Sequence, residues 1–161
     1  MEAETLLTKL RDRYQLVDIP GLAGVSYPPE NSVQASPWLM LRQARDIQGR
    51  YIRRRARGQM VEVPIEAIIL VATNGDQPRE EARIDPLIPM VIDAVNPEAW
   101  GRDIADILKV NSSDIDHLFT EATVERRPVE WGTQYCYAAY ITFDAVIRRQ
   151  PKPLEIREVT P

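Results

Sequence analysis

The sequence predicts an α+β fold, an antiparallel sheet of about four strands with helices packed against one face. Three observations carry this. Residues 135–148 place Tyr135, Tyr137, Ala139, Ile141, Phe143, Ala145 and Ile147 on alternate positions, a period that only a β-strand turns into one face. Residues 60–73 repeat the period with Val61, Val63, Ile65, Ala67, Ile69 and Val71. Ahead of both, Ala3, Leu6, Leu7, Leu10 and Tyr14 recur at the steps of an amphipathic helix, with Glu2, Glu4, Lys9, Arg11 and Arg13 between them.

Length and composition set outer bounds. A chain of 161 residues with 44% hydrophobic content suits one domain with one core, here residues 1–150, followed by an extended tail at 151–161 that is rich in proline. Twenty Lys and Arg against 24 Asp and Glu leave a net charge of −4, so no global basic field recruits nucleic acid. The single cysteine, Cys136, excludes an intrachain disulfide and suits a reducing compartment. No apolar run approaches the ~18 residues of a membrane span, and the acidic N-terminus does not read as a secretion signal.

Taken in order, the first helix ends before Pro20 and Gly21. Residues 19–37 hold Pro20, Gly21, Gly24, Pro28, Pro29 and Pro37, too many breakers for a regular element, and read as an ordered or partner-bound loop. A short strand follows at 37–45, where Trp38, Met40 and Arg42 alternate with Leu39, Leu41 and Gln43. The strand at 60–73 pairs with it, and its first half is expected at a sheet edge because Pro64 cannot donate to a ladder. Asn74-Gly75-Asp76 closes it as a turn. Asp85-Pro86 reads as an N-cap with proline at the first helical position, ahead of Leu87, Met90, Val91, Ala94 and Val95. Asn96-Pro97 repeats the signal for a helix carrying Trp100, Ile104, Ile107 and Leu108, weakened by Gly101. Residues 118–127 read as a strand antiparallel to 135–148, with 128–134 as the connecting turn.

Catalytic constellations are not found. His117 is the lone histidine, in Asp114-Ile115-Asp116-His117, and no second ligand is spaced to complete a metal shell, so it reads as a surface or turn residue. Asp103 and Asp106 share a helix face but read as solvated charges. Cys136 lies mid-strand without an activating base and reads as core. The seven glycines form no phosphate-cradling loop. Trp38, Trp100 and Trp131 are far apart and read as separate anchors rather than a stacking platform. The expectation is therefore a non-enzymatic protein with no catalytic residue, metal or cofactor.

Residues 46–59 stand apart. They form a long connection, read as a projecting hairpin arm, and carry Arg50, Arg53, Arg54, Arg55 and Arg57 in an otherwise acidic chain. These five are the candidate interface residues. Their guanidinium groups suit carboxylates on a neighbouring protein, including a second copy of this chain, or phosphates.

In layout the chain resembles the tail-terminator proteins of long-tailed bacteriophages, the lambda U-type minor tail proteins. The likeness lies in Thr5-Leu6-Leu7-Thr8-Lys9-Leu10, the proline-rich passage into Pro37-Trp38-Leu39-Met40-Leu41, the long hairpin into Val61-Glu62-Val63-Pro64-Ile65, the Asp85-Pro86 helix and the late strand from Tyr135 to Ile147. The resemblance implies a virion subunit, assembled in the host cytoplasm, that forms a ring, commonly six-fold. The ring sits on the last tube ring, ends tail polymerisation and offers a head-joining surface. It implies as partners further copies of the chain, the tail tube protein and a connector or neck protein, with DNA passing through the ring, and no membrane. The arm and residues 97–116 are fuller than in the simplest members, which keeps another neck or head-completion role open. A small nucleic-acid-binding module using the arginine arm as a β-ribbon is the alternative from a different class.

Overall fold

A computed structural model describes residues 1–33, 35–44, 50–55, 58–73, 77–150 and 153–157. In chain order the elements are α1 (Ala3–Leu16), β1 (Gly24–Ser26), β2 (Trp38–Gln43), β3 (Arg50–Arg55), β4 (Gly58–Ala72), α2 (Gln77–Ile84), α3 (Leu87–Asp93), α4 (Pro97–Trp100), α5 (Ile104–Leu108), β5 (Ile115–Trp131) and β6 (Gln134–Arg149). The α+β class holds, but the sheet is mixed and has six strands among the described residues, in the order β1-β2-β4-β6-β5 with β3 also paired to β4. The two strands beyond the expected four are β1, which runs parallel to β2, and β3, inside the arginine connection.

Strict alternation explains two of the three long strands, β4 and β6. Along β6, Tyr137, Ala139, Ile141, Phe143, Ala145 and Ile147 enter the main core, joined by Val63, Ile65, Ala67, Ile69 and Val71 of β4. Leu6, Leu7, Leu10 and Tyr14 of α1, Ile84 of α2, Leu87, Ile88 and Val91 of α3, and Ile104, Ile107 and Leu108 of α5 cover that face. Each such large apolar side chain removed from water contributes roughly 1.5–3 kcal/mol before chain entropy is set against it. Tyr135 departs from its set: it is 71% exposed, one residue into β6 and beyond the reach of the helices.

The opposite face is half covered. Val33, Met40, Ile68, Leu70, Cys136, Ala138 and Tyr140 form a second, smaller cluster, with Trp38, Val129 and Trp131 packed at its margin. The proline-rich loop makes this cover. The Gln134 side chain accepts from the Val33 N–H at 2.7 Å, and the Trp131 indole donates to the Glu30 carbonyl at 2.7 Å. The β5–β6 turn is only Gly132-Thr133, shorter than 128–134, because β5 continues to Trp131, paired with Gln134. Gly132 has φ of 60°, and a Cβ there would collide with the Asn31 carbonyl, so the turn and the loop fit only around glycine.

Several boundaries differ from expectation for identifiable reasons. The first half of β4 is no edge, since β3 pairs it on one side and β6 on the other. Pro64 is tolerated because its carbonyl, which accepts from the Ala44 N–H at 3.0 Å, places its backbone between the last β2 pair, Gln43 with Ile65, and the first β3 pair, Arg50 with Glu62. Only the return bond, from residue 64 to the Ala44 carbonyl, is forgone at this end of the β2 ladder. Asp85 is not an N-cap. Its N–H still donates to Glu81 at 2.8 Å, its carboxylate accepts from Arg126 at 2.8 Å, and the next helix begins at Leu87 with Pro86 as its cap. Asn96 does cap α4, accepting from the Glu98 N–H at 3.1 Å with Pro97 at the first position. The helix expected beyond it is two, because Gly101 adopts a left-handed conformation that stops α4 before α5 starts. The Asn74-Gly75-Asp76 turn lies outside the described residues.

Candidate interaction surface

The arginine connection is built on the sheet itself. β3 folds back antiparallel on β4, with Arg50 opposite Glu62, Tyr51 opposite Val61, Arg53 opposite Met60, Arg54 opposite Gln59 and Arg55 opposite Gly58. A bulge between Tyr51 and Arg53 shifts the parity of the strand. As a result Arg50, Arg53 and Arg55 all take register positions opposite the even-numbered residues of β4, Glu62, Met60 and Gly58, while Arg54 pairs on the other parity. Arg57 lies outside the described residues. The hairpin thus prolongs the sheet past the end of β2 and is not a detached loop.

Even-numbered β4 residues belong to the sheet face away from the helices, since Ile68 and Leu70 enter the smaller cluster there. Toward the hairpin that face turns polar. Arg42 donates to Glu66 at 2.7 Å, and the register continues from Arg42 through Glu66 to Thr142. Pro64 lies opposite Asp144, and Glu62 opposite Val146. Arg42, Glu62, Glu66, Thr142 and Asp144 are all half-buried. At the border with the apolar cluster the Arg127 guanidinium lies 4.4 Å from the Tyr140 ring centre, and Arg42 lies 5.6 Å from that of Trp131. The face runs from an apolar, loop-covered end to a strip of mixed charge leading to the arginine hairpin. The strip presents half-buried groups of both charge signs along one face of the sheet.

The other singled-out residues do not converge. His117 in β5 pairs with its neighbour Asp116 at 2.9 Å. Cys136 is buried, and its burial, reinforced by the nearby Glu80, pushes the thiol above its ordinary range, the reverse of an activated nucleophile. Asp103 caps α5 through its backbone carbonyl, which accepts from Asp106 and Ile107. Among the described residues no group of three or more His, Cys, Asp or Glu is placed to hold a metal ion. Of the three tryptophans expected to be separate anchors, Trp38 and Trp131 instead flank the same smaller cluster, donating to Ser26 at 2.8 Å and to Glu30, while half-exposed Trp100 stands apart and donates to Asp93 at 2.8 Å beneath the Arg13 guanidinium. No helix among the described residues is long and apolar enough to cross a membrane.

Two surface features escaped the sequence reading. One is the outer edge of β1, hidden in a run of prolines and glycines. The other is the Leu154, Ile156 alternation of the tail, whose signal was present but too short to read as a strand. No protein-family model matches the chain, and no curated protein matches it.

Proposed function

We propose that this chain is a structural virion protein, a tail terminator whose copies form a ring that ends tail-tube polymerisation and contributes to the head-joining surface. The observation that carries the reading is the arginine hairpin continuing a half-covered sheet face, in a chain that is acidic overall. A planar guanidinium pairs bidentately with carboxylates, and copies of an acidic protein supply those carboxylates to one another. The layout of a leading helix, proline-rich passage, long hairpin and late central strand supports it through the resemblance already described. The arginines are assigned to a neighbouring copy or to the tube ring, and no step of chemistry is assigned to any residue.

The test is electron microscopy of tail-tube protein polymerised with and without this chain. Ring-shaped particles and tubes of limited length with a terminal cap are expected. Tubes of unchanged length, uncapped at either end, would remove the tail-terminator assignment. Arg50, Arg53 and Arg55 on one parity favour one second reading, contact of this strip with the phosphates of passing DNA.

A further inference from the structure

We propose that residues 153–157 of one copy add as a strand to the outer edge of β1 in a second copy, with Leu154 and Ile156 seated beside Leu16, Leu22 and Val25. This deepens the ring reading and rests on its self-assembly. The described residues of the tail, 153–157, make no regular element, and Leu154 and Ile156 are 91% and 92% exposed. In an extended chain the two lie on one face with Glu155 on the other. A pair of large aliphatic side chains held fully in water is a strand without a sheet.

The matching site is the edge of β1. Ala23 donates to the Pro37 carbonyl at 2.8 Å, so the alternation of a strand turns the backbone groups of Gly24 and Ser26 away from β2. No strand among the described residues pairs that side. Beside it runs an open groove of about 470 Å³ between the end of α1 and β1, where Leu16, Leu22, Val25 and Trp38 offer apolar surface alongside the polar Gln15 and Asp18. Leu16 is itself 64% exposed. Paired strand residues share a face, so the partner of Val25 in the added strand is Leu154 or Ile156. The competing edges are guarded. β5 presents Pro128, the exposed charges Glu125, Arg126, Arg127 and Glu130, and two register breaks, while β3 is rich in arginine. β1 has neither charge nor proline.

Reach decides between the chain's own edge and a neighbour's. Arg149 pairs with Gln59 at one end of β4, whereas Val25 connects through Leu39 to Ile69. That separation is about 33 Å along β4 alone. Five residues from Arg149 to Leu154 span at most about 18 Å. The tail cannot fill its own groove, so the occupant is the tail of a second copy. A head-to-tail contact of this kind closes into a ring when its rotation permits.

The test is the full-length double variant Leu154→Asp with Ile156→Asp, compared with wild type by sedimentation and by hydrogen exchange. The variant should keep its far-ultraviolet circular dichroism, since both side chains lie in water. It should fall to the 18.4 kDa subunit or need about tenfold more protein to assemble. The amides of Gly24 and Ser26 should be protected in assembled wild type and exchange freely in the variant. If the variant assembles as wild type does, or the two amides exchange alike in both, tail addition is wrong and the ring reading survives. A wild-type chain that neither self-associates nor caps tubes overturns both.

Discussion

The hydroxyl of Tyr14 in α1 donates to the carbonyl of Val91 in α3 at 2.9 Å, in the buried layer between the leading helix and the helices that follow β4. Replacing Tyr14 with Phe keeps the ring but leaves that carbonyl without its donor. The expected cost is about 1–3 kcal/mol in denaturant unfolding. Burial pushes the Tyr14 phenol above its ordinary value. Its folded pKa therefore exceeds the unfolded one, near 10, and its contribution is complete below about pH 10 and is lost as pH rises beyond. Wild type should lose stability above that pH more steeply than Tyr14→Phe. Parallel alkaline limbs for the two proteins would contradict the assignment.

Gly132 and Gly101 both have φ of 60°, but only Gly132 faces backbone, the Asn31 carbonyl. Alanine at Gly101 should cost about 1 kcal/mol, the left-handed penalty alone. Alanine at Gly132 should cost more, by at least about a further 1 kcal/mol, and should expose Trp131 as the loop lifts. Equal melting shifts, with unchanged tryptophan fluorescence, would show that the loop does not rest on this turn.

Cys136 should react with a water-soluble thiol reagent only at the rate of unfolding, because the thiol is buried and its deprotonation is opposed by that burial. Labelling in native buffer at the rate of a small free thiol would place it in an accessible site. His117→Ala should leave folding and assembly unchanged, since its ring pairs at the surface with the adjacent, exposed Asp116 and lies outside the main core.

Changing Arg53, Arg54 and Arg55 to Glu should abolish assembly while the isolated subunit stays folded, since the hairpin extends the sheet beyond the main core. Phosphate contact differs in its salt response: duplex binding should weaken with log salt at a slope of about −0.9 per neutralised phosphate. Loss of salt-sensitive DNA binding with assembly intact would assign the strip to DNA.

The legible parts of the fold were those with a long, unbroken period. α1, β4 and β6 repeat apolar residues over many turns or pairs, and the main core follows from them. β1 was not legible, because Gly24, Val25 and Ser26 become a strand only through pairing with β2, distant from any local signal. α2 was missed for another reason. Its segment, Gln77–Ile84, is almost wholly polar and is held by Ile84 in the core and by side-chain bonds from Thr73 to Glu80 and from Tyr137 to Glu81. Clustered arginines marked the candidate surface, yet charge alone could not reveal the bulge that sets Arg50, Arg53 and Arg55 on one parity.

Self-assembly into a ring is tested most directly by the mass of the purified wild-type chain across a wide concentration range. The account predicts a discrete multiple of the 18.4 kDa subunit that persists on dilution and images as a closed ring. A mass of one subunit at every concentration, unchanged by added tail tubes, would contradict it.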